Sequence, residues 1–260
     1  TMLQAPNIAA AAAAELLDVI GAEFSDEGTS HNNPSPDVPL ADGLSRRKAQ
    51  DALLETAGYP LRVREIGYIQ AIDPQILFTL AQEKDLIIRL LHNPGYYVWS
   101  GVAVALVWPA DRVDEELDQQ ICQAIQIGNG RTPTQDVAYA VNQLVEMAVR
   151  AMSPAINDPY TAMTCLDYLG EGLALFIRQG EQSTRYYHID GRLSFIMEPV
   201  TFDELLSAAF DMLRHASCDN ASVLLHMLEV IDVISNEAQA PETRQKLLRQ
   251  RGRTLASFSD

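Results

Sequence analysis

The sequence predicts an α+β fold, with a mainly helical body, a small β module and one β-hairpin. Three observations predict it. Apolar residues recur every three or four positions through residues 137–152 and 159–176, the helical period. Short β-branched and aromatic runs between Tyr59 and Trp108 are punctuated by Asn93-Pro94-Gly95 and Ser100-Gly101, which are turn sequences. Asp190-Gly191 separates two further strand-like runs, Tyr186 to Ile189 and Arg192 to Ile196, as a tight hairpin turn does.

Residues 2 to about 24 are Ala-rich and started by Pro6, so they form a helix with Ile8, Ala12, Leu16, Val19 and Ile20 on its apolar face. The next run, Ser25 to Gly43, has proline, serine and asparagine without periodicity and reads as a mobile loop. Leu44 to Ala57 forms a short helix that ends at Gly58. These elements make a first region, 1–57, ahead of a β module over 58–110 and a helical domain with the hairpin over 111–260.

Within the β module Leu61, Val63 and Glu65 alternate ahead of the run GYIQAID, residues 67–73. A short helix follows with Asp73 as its cap and Pro74 in its first turn, then strands over Leu86 to Leu91, Tyr96 to Trp99 and Val102 to Trp108. This order resembles the barrel-sandwich architecture of biotinyl and lipoyl carrier domains. Those carry a modified lysine at a hairpin tip, whereas here the tips hold none and Lys84 lies at the end of the helix. The resemblance therefore extends to shape, and no cofactor is expected.

After Asp111, Val113, Leu117, Ile121, Ala124, Ile125 and Ile127 are spaced for one buried helical face ending at Gly128. Thr132, Pro133 and Gln135 match a capping box with proline at the first helical position, which predicts a helix from Thr132 to Ser153-Pro154. Asp158 before Pro159 caps the next helix, whose inner face carries Ala162, Met163, Leu166, Leu169, Leu173 and Phe176. Thr201 with Glu204 is a second capping box, opening a helix with Leu205, Ala208, Ala209, Met212 and Leu213 inside. A final helix pair covers about Asn220 to Asn236 and Pro241 to Arg251, and the last residues fray.

With 260 residues the chain can bury a sizeable core unaided. No apolar run reaches the roughly 20 residues of a membrane-spanning helix, and the N-terminus lacks the basic start of a signal peptide. A net charge of −16 repels phosphate backbones and anionic lipid surfaces, so nucleic acid is not an expected partner. Cys122, Cys165 and Cys218 are odd in number, far apart and set among apolar residues, and read as reduced core thiols of a cytoplasmic domain. His31, His92, His188, His215 and His226 include no metal-ligand spacing, so no metal site is expected.

The polar residues of 128–166 are the best candidates for binding: Arg131, Thr132, Gln135, Asp136, Ser153, Asn157 and Asp158. In one reading Arg131 and the free N–H groups of the following helix hold a small anion. In the other it pairs with Asp136 or Asp158 and fixes a helix crossing. Asp136, Glu146 and Asp158 would suit acid and base work if they converged, which spacing alone does not decide. Gly128 and Gly130 lack the lysine of a phosphate-binding loop, and Ser153 stands in Ser-Pro-Ala, outside any nucleophile elbow.

The runs RTPTQD (131–136), NQLVEMAVRAMSPAINDPYTA (142–162) and GYIQAID (67–73) resemble those of domain-of-unknown-function family 2254, predicted bacterial membrane proteins. The resemblance covers roughly residues 2 to 250 and departs most over Ser25 to Asp42. It implies the soluble C-terminal part of a bacterial inner-membrane protein, a cytoplasmic domain with an N-terminal membrane block as its own partner and its first helix coupling the two. It brings no activity and no catalytic residues. Two functions follow as expectations: a cytoplasmic ligand-sensing or scaffolding domain, in homo-oligomers and with a small anionic ligand; or a hydrolase or transferase using Asp136 or Asp158, with Arg131 stabilising negative charge.

Overall fold

In the computed structural model, residues 5–24, 43–180, 185–187 and 192–258 are described. The expected loop over 25–42, the hairpin turn at Asp190-Gly191 and the last two residues lie outside them. The chain packs into two units, one of Thr1–Phe24, Asp136–Glu181 and Val200–Asp260, the other of Ser25–Gln135 and Gln182–Pro199.

The first unit is helical: α1 (Ala5–Phe24), α5 (Val137–Ala151), α6 (Pro159–Gln179), α7 (Phe202–Ala216), α8 (Ala221–Glu237) and α9 (Pro241–Ala256). Helix α6 packs against α1, α5, α7 and α8. Two glycines permit that closeness. A Cβ on Gly170 would lie 2.6 Å from a methyl of Val230 in α8, and one on Gly172 2.6 Å from a methyl of Leu16 in α1. The core gathers Leu16, Ile20, Leu144, Leu166, Leu169, Phe210 and Ile231, all essentially removed from water. Each such side chain contributes about 1.5–3 kcal/mol relative to exposure.

Two faces differ from those expected. Ile8 of α1 is exposed and Ala9 is buried in its place; Met212 of α7 is exposed while Leu206 and Phe210 point inward. In both cases a 100° step per residue moves the inner stripe by one position, and packing between helices decides which edge is covered. The Thr201–Glu204 capping box forms in both directions, as its sequence predicts.

The second unit holds α2 (Gly43–Ala57), α3 (Pro74–Glu83), α4 (Glu115–Gln123) and the strands. One sheet runs β1 (Tyr59–Arg62), β5 (Ala103–Trp108), β3 (Ile87–Leu90), β8 (Leu193–Ile196), β7 (Arg185–Tyr187); the other runs β4 (Tyr97–Val98), β2 (Gly67–Ile72), β6 (Ile125–Gly128). The hairpin strands β7 and β8 pair antiparallel, and β8 adds to β3 in parallel. Phe195 thereby joins Leu61, Ile69, Ile88, Val107 and Ile121 in this unit's core. Arg185 reaches both carboxylate oxygens of Asp51 at 2.7 and 2.8 Å, tying β7 to α2, while Leu54 of α2 packs on Leu193 and Ile196.

The helix expected to run through Ile127 stops at Gln123, and Ile125–Gly128 is a strand. Asp114 caps α4 through the Leu117 N–H, and Leu117 and Ile121 fill its inner face. Ile125 and Ile127 then register against Ile72 and Ile69 of β2. Two β-branched residues in alternation satisfy a strand as well as the end of a helical stripe, and the neighbouring strand supplies the hydrogen bonds that decide it.

Candidate functional site

The candidate residues divide between the two units, so each group is described within its own. In the second unit the segment after β6 stays beside β2 and is not helical. The capping box expected at Thr132 does not form. The Thr132 hydroxyl donates to the Gln70 carbonyl at 3.4 Å, and the Gln70 amide donates to the Gly130 carbonyl at 2.7 Å. Gln135 pairs with the backbone of Ile72 in both directions. Its Oε1 accepts the Ile72 N–H at 2.8 Å and its Nε2 donates to the Ile72 carbonyl at 3.1 Å. A primary amide offers the same donor and acceptor as a peptide group, so Gln135 gives Ile72, the last residue of β2, the pairing that a neighbouring strand would. Arg131 is half-buried and engaged.

Glycine makes this arrangement possible. Gly67 holds φ at +152°, and a Cβ there would sit 2.3 Å from the Gly128 carbonyl oxygen. A side chain would thus meet both backbone strain and a collision with a neighbouring strand. A β-bulge between Ile69 and Ala71 then shifts the alternation, so that Ile69 and Ile72 both face the core.

In the first unit α5 begins at Val137, capped by Asp136, whose carboxylate accepts the Tyr139 N–H at 2.9 Å. Asp136 is 3% exposed. The turn between α5 and α6 is closed by backbone bonds: the Ser153 carbonyl accepts from Ile156 and Asn157, and the Asp158 N–H reaches the Ala151 carbonyl at 2.8 Å. Asn157 takes φ of +46°, a left-handed position that asparagine tolerates better than most side chains. Asp158 caps α6 as expected. It accepts the Thr161 hydroxyl at 2.6 Å and the Thr161 N–H at 3.2 Å. The Thr161 hydroxyl, with backbone N–H groups of the first turn, lowers the Asp158 pKa below the usual carboxylate value.

A cleft of about 310 Å³ opens elsewhere in the second unit, where the segment after β1 faces α4. Val63 and Ile125 line it beneath Arg62, Arg64, Glu65 and Asp118. A second opening adjoins it, sharing Arg62, Arg64 and Asp118 and adding Tyr59 and Gly101. Arg62 is held by a 2.6 Å bond to the Gly101 carbonyl. The Tyr59 hydroxyl donates to Asp118 at 3.1 Å, and that bond to a carboxylate raises the Tyr59 pKa above its ordinary value. Burial, with Asp118 nearby, pushes the Cys122 thiol up to about 11. Both groups are therefore neutral near pH 7. None of these charged residues is a binding candidate by sequence, where Glu65 enters only as part of a strand alternation. The one signal is Arg62 and Arg64 flanking buried Val63, which puts two guanidinium groups on one side of an extended segment.

The three thiols also differ from one another. Cys165 is buried and Cys122 partly so, but Cys218, expected in the core, is exposed just past the end of α7. Isolated helical spacing does not distinguish a core thiol from one at a helix end. Among the described residues no cluster of His, Cys, Asp and Glu could hold a metal ion, and no helix is long and apolar enough to cross a membrane.

The model of the predicted membrane protein family DUF2254 matches residues 1–233, and the chain belongs to that family. Over 189 residues it is 25% identical to an uncharacterized protein of Mycobacterium bovis and to one of Mycobacterium tuberculosis strain H37Rv. It is 24% identical to an uncharacterized protein of Mycobacterium tuberculosis strain CDC 1551 over the same length. Each match covers 71% of this chain and 36% of the relative, so the matched part is about a third of those longer proteins. No solved structure matches the chain.

Proposed function

We propose that this member of the predicted membrane protein family is a noncatalytic ligand-sensing or scaffolding domain, on the cytoplasmic side of a longer bacterial inner-membrane protein. One observation carries the reading. Asp136 and Asp158, the two carboxylates that acid–base chemistry in the 131–158 stretch would need, each cap a helix through their side-chain oxygens. The lowered pKa of Asp158 adds to this, because an acid ionised well below neutrality is a poor proton donor at pH 7.

In this reading the partners are the protein's own membrane block and further copies of the chain. A small anion near Arg131 is the ligand of the sensing form. Nucleic acid is disfavoured by the charge of −16. Native mass spectrometry of the purified chain and of Arg131→Ala tests it. A retained small anion that Arg131→Ala loses supports sensing, and an unliganded mass in both supports scaffolding. Conversion of a retained molecule into a product by the wild-type chain, abolished by Asp158→Asn, would overturn the noncatalytic reading.

A further inference from the structure

We propose that the cleft of Arg62, Arg64, Glu65 and Asp118 binds a small zwitterion, an amino acid with an apolar side chain. The proposal rests on the second unit alone and is independent of any role for Arg131.

Three features of the cleft point to this chemistry. Its volume of about 310 Å³ is at the lower end of the roughly 300–1,000 Å³ range of small-molecule sites. Its lining is divided by character: Val63 and Ile125, each 5% exposed, supply an apolar wall, and the charged groups lie around it. Those charges balance. Two guanidinium groups and two carboxylates give the lining a formal charge of zero, in a chain that carries −16 overall.

The balance decides between ligand classes. A simple anion would gain from Arg62 and Arg64 but would be opposed by Glu65 and Asp118, and a simple cation would meet the reverse. A zwitterion brings one charge of each sign and so matches both sets. Its carboxylate is taken by the arginines, whose planar donors suit that geometry. Its ammonium is taken by Asp118, which keeps acceptor capacity beyond the Tyr59 hydroxyl because a carboxylate offers about four lone-pair sites. The apolar side chain then covers Val63 and Ile125. Arg62 is already positioned by the Gly101 carbonyl, which limits the ordering that binding requires.

The test is isothermal titration of the purified chain with L-leucine, L-methionine and L-phenylalanine. Two controls resemble leucine but lack one charge each: 4-methylpentanoate without the ammonium, and 3-methylbutylamine without the carboxylate. Saturable binding of at least one amino acid is expected, with leucine or its nearest binder favoured over the singly charged controls. Arg64→Gln and Asp118→Asn, each with an unchanged circular dichroism spectrum, should each weaken it about tenfold, the effect of losing one charge-assisted contact. The Asp118→Asn side chain can still accept the Tyr59 hydroxyl, so its loss of binding would report the charge. Three results would overturn the proposal: no saturable binding of any of the three amino acids, 4-methylpentanoate binding as tightly as leucine, or full binding by folded Arg64→Gln.

Discussion

Gln135 separates two physical accounts of the same sequence, and substituting glutamate separates them by experiment. In a capping box, glutamate serves the third helical position as well as glutamine, so Gln135→Glu would be neutral and Gln135→Ala would cost about 1 kcal/mol. At the edge of β2 the outcome differs. Glutamate keeps an acceptor for the Ile72 N–H but loses the 3.1 Å donor to the Ile72 carbonyl, and sets a carboxylate oxygen against that carbonyl. Ile72 is 3% exposed but Gln135 lies at the surface, so water replaces the lost donor only in part and the full cost of a buried group is the upper bound. Leaving a buried polar group unsatisfied costs about 1–3 kcal/mol, and for a domain of this size each kcal/mol shifts the melting temperature by about 2–4 °C. Hydrogen exchange read on the 67–73 segment, with thermal unfolding alongside, makes the measurement. Gln135→Glu should speed exchange there at least as much as Gln135→Ala. Unchanged exchange and an unchanged melting temperature in Gln135→Glu would refute the edge-pairing account.

Three further outcomes follow from the geometry. Gly67→Ala meets both the strain of φ +152° and the Gly128 carbonyl 2.3 Å away, so it should cost more than Gly101→Ala, where φ is +89° but nothing lies within 4 Å; backbone strain alone is about 1–3 kcal/mol, and comparing the two in urea denaturation isolates the collision. Asp158 has a lowered pKa in the fold, so its contribution is present above the ordinary carboxylate value and is lost as pH falls through the folded value. Wild-type stability should therefore decline relative to Asp158→Asn only in acid, and Asp158→Ala should lose about 1 kcal/mol at neutral pH, both read from melting temperatures across pH 2 to 7. A thiol reagent at pH 8, followed by peptide mass spectrometry, should label exposed Cys218 first; Cys122 and Cys165, both pushed up to about 11 by burial, hold only about a thousandth of their thiol as thiolate at that pH and should lag. Equal labelling of Cys165 and Cys218 in the folded chain would contradict the packing of α6.

Much of the local structure follows from short sequence signals because the atoms involved are neighbours in the chain. Asp73 and Asp158 before proline, and Thr201 with Glu204, each satisfy a backbone donor within three residues, and each cap forms where the sequence places it. The candidate stretch shows the limit of that logic. Thr132, Pro133 and Gln135 carry a complete capping pattern, yet the helix starts at Val137 because Gln135 has a better partner 63 residues away. Asp136, read as a possible acid, is the cap instead.

By itself the sequence determined the α+β class, the turns at Asn93-Pro94-Gly95 and Ser100-Gly101, the helix beginnings at Pro74, Pro159 and Phe202, and the family. These depend on conformational preferences and on bonds made within a few residues. Only the tertiary structure decided that Ile125–Gly128 is a strand, that β8 adds in parallel to β3, that Cys218 is exposed, and that Arg62 and Arg64 share a cleft with Asp118. Each of these depends on a partner more than 50 residues away or on which side of an element is covered. A local pattern allows several such outcomes, and packing, with the pairing of buried backbone groups, selects among them.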